Sequence, residues 1–396
     1  MGKIYQQIQS NQERLTELRR EFHQYPELAA EECCTAEVIE RELDRIGVEH
    51  KRIGQTGVLG ILRGTLDGNG VIALRADIDA LPIQEENDVA YRSRNDGVMH
   101  ACGHDAHTAC LLGAAEALAR NRDSFGGEVR FFFQPGEETG EGAEDFLAAG
   151  ALKGAERVFG LHCAPDLPLG TIGVTPGLNN AAVDRFYIRV YGKAAHVSTP
   201  QLGADALYAA SQIVVALQGL TARRTSPVEP VILGIGRLSA GTTYNIVAEY
   251  AKLEGTTRTL SQERRMWARE QINETARHIA AVSDTQADVE WVGVCSPVIN
   301  DQQASREVQA VAKGLREDIQ LVTDRPISLG GDNFAEYQLE VPGCYAYLGT
   351  SNPEKPNTCI VLHNGRFDLD EDALPLGAAL YAEYALWWLT EGREKA

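Results

Sequence analysis

The sequence predicts an α/β protein: a mostly parallel sheet between helices, interrupted by an inserted α+β segment. Three observations predict it. Short apolar runs alternate with helical stretches from the N-terminus to about residue 182, the pattern of parallel strands joined by helical crossovers. From residue 183 the order becomes strand, helix, strand, strand, helix, strand, which fits a ferredoxin-like unit. After residue 296 the first pattern returns. The expected domains are therefore residues 1–182 together with 296–396, and an insertion spanning 183–295.

The elements follow in chain order. Leu15, Leu18 and Phe22 recur at helical spacing within residues 13–24, and Pro26 interrupts that run. A second helix is expected from about Glu31 to Ile46, stopped by Gly47. VLGIL (58–62) and VIALRAD (71–77) read as strands, TACLLGAAEALAR (108–120) as a buried helix, and VRFFFQP (129–135) and RVFGLH (157–162) as strands again. Within the insertion, strands are expected at 184–192, 231–238, 250–260 and 288–294, with helices at 206–220 and 261–284. A last helix is expected over about Ala373–Thr390.

Composition bounds the function. The chain has 396 residues, of which 44% are hydrophobic and 23% charged, enough to bury a layered core. Lys and Arg total 37 against 56 Asp and Glu, a net charge of −19. That balance disfavours a nucleic-acid partner, because no basic face is present to displace counterions from phosphates. No run approaches 18 apolar residues, so no membrane-spanning helix is expected. The N-terminal stretch MGKIYQQIQSNQER is polar and lacks an apolar signal core. A cytoplasmic protein is the expectation. The eight cysteines are then expected to be unpaired, most of them small buried hydrophobes.

The densest chemistry is MHACGHDAHT (99–108), which holds three of the nine histidines. Cys102 and His104 flank Gly103, and in a turn that spacing lets a thiolate and an imidazole converge on a metal. Read alone, the segment is equally a helix start with scattered polar residues. In FFFQPGEETGEG (131–142) an apolar strand runs into Glu137 and Glu138. Adjacent side chains there point in different directions. One carboxylate can hold a metal while its neighbour serves as a base. Most Glu-Glu pairs are solvated loops, but these follow the end of a hydrophobic strand, where open α/β sheets place their sites. ALRADIDALP (73–82) ends a strand with Asp77 and Asp79, and VFGLHCAP (158–165) ends one with His162. His363 in VLHNGRFD (361–368) again follows an apolar run. His196, in GKAAHVSTPQLGADAL (192–207), follows a strand and a glycine-containing turn, and by itself it is equally read as a surface histidine.

RREFHQYPELAAEE (19–32), ALRADIDALP, MHACGHDAHT, QPGEETGEGA (134–143), GLHCAP, GKAAHVSTP and LHNGRFD occur in one order. In that order the chain resembles the amidohydrolase branch (subfamily D) of metallopeptidase family M20, over nearly its whole length. That branch includes hippurate hydrolases, aminoacylases, N-acetyl-diaminopimelate deacetylases and auxin-conjugate hydrolases. The resemblance implies a catalytic α/β domain with a two-metal centre and an inserted dimerisation or lid domain. It implies Cys102 as the ligand bridging the metals, and His104, Glu138, His162 and His363 as the others. Glu137 is implied as general acid and base, Asp77 as a carboxylate orienting a ligand histidine, and His196 as the group that reaches the partner subunit's site to stabilise the oxyanion.

The implied activity is cleavage of N-acyl amino acids by a water shared between two divalent ions, with Zn, Mn, Co or Ni as candidates. The implied partners are a small-molecule N-acyl amino acid and a second copy of the chain, with no nucleic acid and no membrane. A dipeptidase or carboxypeptidase using the same centre is the alternative within the enzyme class. A catalytically silent metal-binding or scaffold protein is the alternative outside it, opposed by the intact set of Cys102, His104, Glu137, Glu138, His162 and His363.

Two stretches depart from the family pattern. Gly330-Gly331-Asp332-Asn333-Phe334 stands for Gly-Ser-Glu-Asp-Phe, and Asn245-Ile246-Val247-Ala248-Glu249 for Asn-Val-Ile-Pro-Asp. The first is expected to alter a wall near the substrate pocket. Asn245 and Arg258 are candidates for the substrate carboxylate, which suits the forked donors of Arg; both are equally read as structural. His23 and Glu27 read as packing or capping residues, His100 and His107 as supporting, His50 and His278 as surface, and Cys110 as core.

Overall fold

The computed structural model describes residues 3–393. The outermost residues of the expected first domain, 1–2 and 394–396, lie outside them. The chain divides into two units, Met1–Asn179 with Ile299–Pro326 and Asn333–Ala396, and Asn180–Val298 with Ile327–Asp332. Relative to the boundaries expected from sequence, the segment Ile327–Asp332 groups with the second unit. Each unit is built separately below.

Strands are numbered in chain order. The first run is β1 Glu49–Ile53, β2 Gly57–Arg63, β3 Leu66–Asp77, β4 Gly126–Gln134, β5 Arg157–Pro168, β6 Thr171–Gly173 and β7 Gly177–Asn180. The inserted run is β8 Ala182–Tyr191, β9 Val231–Ala240, β10 Tyr250–Thr259 and β11 Gln286–Cys295. The last run is β12 Val298–Asn300, β13 Gln320–Val322 and β14 Gly343–Ser351.

The first unit holds an eight-stranded sheet in the order β1-β2-β4-β3-β5-β14-β6-β13. Its centre, β4-β3-β5-β14, is parallel, while the β1/β2, β2/β4 and β14/β6 pairs are antiparallel. The end of β3, from Ile72 to Asp77, is buried throughout, as an interior parallel strand covered on both faces must be. Register then sets the site. Asp77 pairs with Gln134, so β3 and β4 end side by side. The turn after β4 therefore emerges beside the carboxylates that follow β3.

Helices cover this sheet. Gln12–Gln24 buries Leu15, Leu18 and Phe22. Cys33–Ile46 ends where Gly47 turns left-handed at φ 71°, the usual stop for a residue without Cβ. The helix His104–Arg120 is buried from His104 to Leu118 and packs on the C-terminal helix Leu374–Trp387. It begins four residues before the start expected from its apolar run, because Gly103 at φ 90° forms its N-terminal cap position. The histidine that opens it is thereby fixed in a rigid element. The apolar run before His363 is irregular rather than a strand. Among the described residues no helix is long and apolar enough to cross a membrane.

The second unit is a four-stranded antiparallel sheet, β11-β8-β10-β9, with the helices Ala206–Arg223 and Gln262–Val282. Phe186, Ile188 and Val190 alternate inward along β8 against Ala209, Ile213 and Leu217 of the first helix. Asp205 and Ser261 cap the two helices through their side chains. Asp184, 1% exposed, is paired with Arg265 at 2.8 Å.

Candidate metal centre

Four segments of the first unit deliver donors to one place. Cys102 and His104 come from the turn and first residue of the helix His104–Arg120. Glu137 and Glu138 sit on the turn after β4, and His162 lies within β5. His363 comes from the irregular segment, at φ 61°. Its backbone N–H donates to the Ala101 carbonyl at 2.8 Å, which ties it to the Cys102 turn. A left-handed conformation at a residue with a Cβ is strained, and such strain clusters where function requires it.

The donor atoms converge. Those of Cys102, His104 and His162 lie within 4.8 Å of one another, as do those of Cys102, Glu138 and His363, and those of His104, Glu137 and Glu138. Cys102 and His104 thus belong to overlapping groups. His162 Nε2 is 3.5 Å from Cys102 Sγ, and His363 Nε2 is 3.3 Å from Glu138 Oε1. The set is enclosed on one side and open on the other: the His104 side chain is 0% exposed and that of His363 is 51% exposed.

Hydrogen bonds select the tautomer of each buried ring. His162 Nδ1 donates to the Cys163 carbonyl at 2.8 Å, leaving Nε2 as a lone pair toward Cys102. His104 Nδ1 donates to the Asp79 carbonyl at 2.9 Å, which leaves Nε2 facing inward. Among the described residues, that Nε2 and Glu138 Oε1 are buried and accept no hydrogen bond, His363 Nε2 being the ion-pair neighbour of Oε1 at 3.3 Å. Buried polar atoms without partners are costly, and bound divalent cations would satisfy them. One thiol, three imidazoles and a carboxylate are donors of the kind that hold zinc and its first-row neighbours. The residues present therefore fit a pair of divalent ions.

The electrostatics agree. Burial, then the Glu138 carboxylate, pushes the Cys102 thiol well above its ordinary pKa. Burial opposes charge on His104, yet the Asp77 carboxylate raises its pKa well above the usual value. Burial together with the neighbouring carboxylates disfavours a free thiolate and favours a charged imidazole, and a nearby cation would reverse both preferences.

Asp77 does not touch a proposed ligand by hydrogen bond. Its Oδ1 takes the Nδ1 proton of His107 at 2.6 Å, and Arg75 donates to its Oδ2 at 2.6 Å. His107 Nε2 accepts from the Cys163 backbone N–H at 2.8 Å, so both its nitrogens are engaged. The orienting partner of His104 is Asp79, whose Oδ2 also accepts from the Glu138 backbone N–H at 3.0 Å. The clue was the ADID repeat itself, which offers two carboxylates at a strand end without saying which turns inward. The residue Asn333 forms no pocket wall: it is 1% exposed and bonded to Arg75 and Gln134. Glu27, expected to pack or cap, accepts from the Thr35 backbone N–H at 2.7 Å at the start of the helix Cys33–Ile46.

Three of the residues singled out from sequence lie in the second unit. His196 is exposed, and its Nδ1 accepts from the Ser198 backbone N–H at 3.1 Å. The proton of the neutral ring is then on Nε2. Asn245 is half-buried next to Ile246, which bridges to His196. Arg258, on β10, donates to the Thr257 carbonyl at 3.1 Å.

The sequence pattern described as peptidase family M20/M25/M40 matches residues 73–387. The chain is 40% identical to N-acetylcysteine deacetylase of Bacillus subtilis over 375 residues, 94% of this chain and 96% of that one. It is 35% identical to thermostable carboxypeptidase 1 of Saccharolobus solfataricus, across 97% of this chain and 98% of the other. Among solved structures it is similar to the YxeP protein of Bacillus subtilis, described as a dinuclear metal-binding peptidase from the M20 family. That likeness has a TM-score of 0.81 at 38% identity and covers 96% of this chain and 99% of that chain.

Proposed function

The chain belongs to peptidase family M20/M25/M40, and from that premise we propose that it is a metal-dependent amidohydrolase releasing amino acids from N-acyl amino acids. The observation that carries the reading is the pair of buried atoms, His104 Nε2 and Glu138 Oε1, that make no hydrogen bond among the described residues and lie within the overlapping donor groups. Cys102, His104, Glu138, His162 and His363 would hold the two divalent ions, for which Zn, Mn, Co or Ni are candidates.

When bound, two divalent ions would polarise the amide carbonyl and lower the pKa of the attacking water. Glu137, half-buried on the turn after β4, takes the proton of that water. It then delivers the proton to the departing amine, so that a neutral amino group leaves. His196 offers its Nε2–H to the oxygen that gains charge. We assign that contribution to a second copy of the chain, with the second unit as the dimerisation element. Asn245 and Arg258 are assigned to the carboxylate of the substrate. The eight cysteines are all unpaired, which supports a reducing, cytoplasmic setting.

The similarity to a carboxypeptidase favours one second reading, cleavage of a peptide bond beside a free carboxylate. One experiment separates the two. Amine release would be measured from acetyl, benzoyl and indole-acetyl amino acids and from unblocked dipeptides, with protein loaded with Zn, Mn or Co. Glu137→Ala is the blank and is expected to keep its metals. Turnover of blocked amino acids that vanishes in the blank is the expected result. Turnover of dipeptides alone selects the peptidase, and undiminished activity of Glu137→Ala removes Glu137 from the mechanism.

A further inference from the structure

Asn333 belongs to none of the donor groups, yet both the oxygen and the nitrogen of its amide are engaged. Oδ1 accepts from the Arg75 guanidinium at 2.9 Å and from Gln134 Nε2 at 2.8 Å. Nδ2 donates to the main-chain carbonyl of Glu141 at 2.6 Å. The partners fix its orientation, because a reversed amide would set donor against donors and carbonyl against carbonyl.

Each partner leads to the turn that carries Glu137. Gln134 is the last residue of β4 and the near arm of that turn. Glu141 is the far arm, its backbone N–H returning to the Gly136 carbonyl at 2.8 Å. Gly140 N–H closes a smaller turn onto the Glu137 carbonyl at 2.9 Å. Arg75 is anchored in its turn to Asp77. Asn333 therefore fastens the far arm to the near arm and both to the end of β3. Without Nδ2, the Glu141 carbonyl keeps, among the described residues, the Ala143 backbone N–H at 2.9 Å and one side-chain donor, Gln134 Nε2, at 3.4 Å.

We propose that Asn333 is a positioning residue for Glu137: its amide holds the turn of residues 135–142 closed and so fixes where the general base stands. The general-base role of Glu137 rests on the amidohydrolase reading, but the closure of the turn is a property of the chain alone. Asn333→Asp keeps the size and the acceptor oxygen and deletes the donor, leaving a carboxylate oxygen against the Glu141 carbonyl.

The test compares wild type with Asn333→Asp by hydrogen–deuterium exchange and by steady-state kinetics with metal in excess. Amides of 136–143 are expected to exchange about tenfold faster in the variant, with the second unit unchanged. On whichever blocked amino acid the wild type cleaves, kcat is expected to fall about 10²-fold with KM nearly constant, as for a misplaced reacting group. Unchanged exchange in 136–143 overturns the proposal. So does faster exchange spread evenly through the first unit with kcat per folded molecule unchanged, which is loss of stability alone. Asn333→Ala, which removes all three bonds, is read in the same way if the aspartate variant does not fold. If wild type cleaves no blocked amino acid, the amidohydrolase reading fails, and the exchange measurement still decides whether Asn333 closes the turn.

Discussion

Asp79 and His104 are joined through one ring nitrogen: His104 Nδ1 lies 2.9 Å from the Asp79 carbonyl and 3.2 Å from Asp79 Oδ1. The other carboxylate oxygen of Asp79 receives the Glu138 backbone N–H. One residue thus orients one proposed ligand, through both its carbonyl and its carboxylate, and its carboxylate also holds the backbone of another. Asp79→Ala is expected to lower metal affinity by about 10–100-fold, read by competition with a chromophoric chelator. Affinity equal to wild type would deny Asp79 this role.

In the proposed centre, Cys102 is a buried thiol whose proton a bound metal would displace. Burial and Glu138 hold its pKa well above the ordinary thiol value, so metal uptake releases that proton and affinity weakens as pH falls. Calorimetric titration in two buffers of different ionisation enthalpy counts the released protons. Cys102→Ser is expected to bind more weakly and to release about one proton fewer. Equal release from both proteins would place the thiol outside the centre.

The buried cluster of Arg19, His23, Glu85 and Asp105 makes stability depend on pH. Burial and the Arg19 charge oppose protonation of His23, but Asp105, 2.7 Å from Nδ1, and Glu85 outweigh them, so its pKa is raised from 6.5. A raised folded pKa means that this stabilisation is complete below the unfolded value and disappears as pH rises through the folded one. Glu85 and Asp105 are shifted downward, and their contribution is present above the carboxylate range and lost as pH falls through it. Thermal unfolding of His23→Gln should show a shallower alkaline decline of Tm than wild type. Parallel curves from neutral to alkaline pH would exclude His23 as the source.

Gly103 is needed for its backbone. At φ 90°, an added Cβ would also lie 3.1 Å from Cys163 Cβ and 3.2 Å from Cys163 Sγ. Gly103→Ala is expected to cost about 1–3 kcal/mol in urea unfolding. A variant as stable as wild type would show that the turn before His104 relaxes freely.

Much of this molecule was legible from residue order. Long periodic elements such as 12–24, 206–223 and 262–282 announce themselves because one face of each must be apolar. The insertion was visible because its element order differs from that of its flanks. Short elements were not visible: β6 and β13 have three residues each, too few for a period, and exist because neighbouring strands offer them hydrogen bonds.

The site divides along the same line. The sequence by itself determined which side chains can do chemistry, since Cys102, His104, Glu137, Glu138, His162 and His363 are donors by residue type, set near chain features that expose them. Only the tertiary structure decided how they are supported. Asp77 and Asp79 are two residues apart and chemically identical, yet one faces His107 and the other His104. Asn333 is 192 residues from the carbonyl it holds. Such pairings come from strand register and packing between distant segments, and no local pattern encodes them, because a hydrogen bond depends on distance and direction in space rather than on separation along the chain.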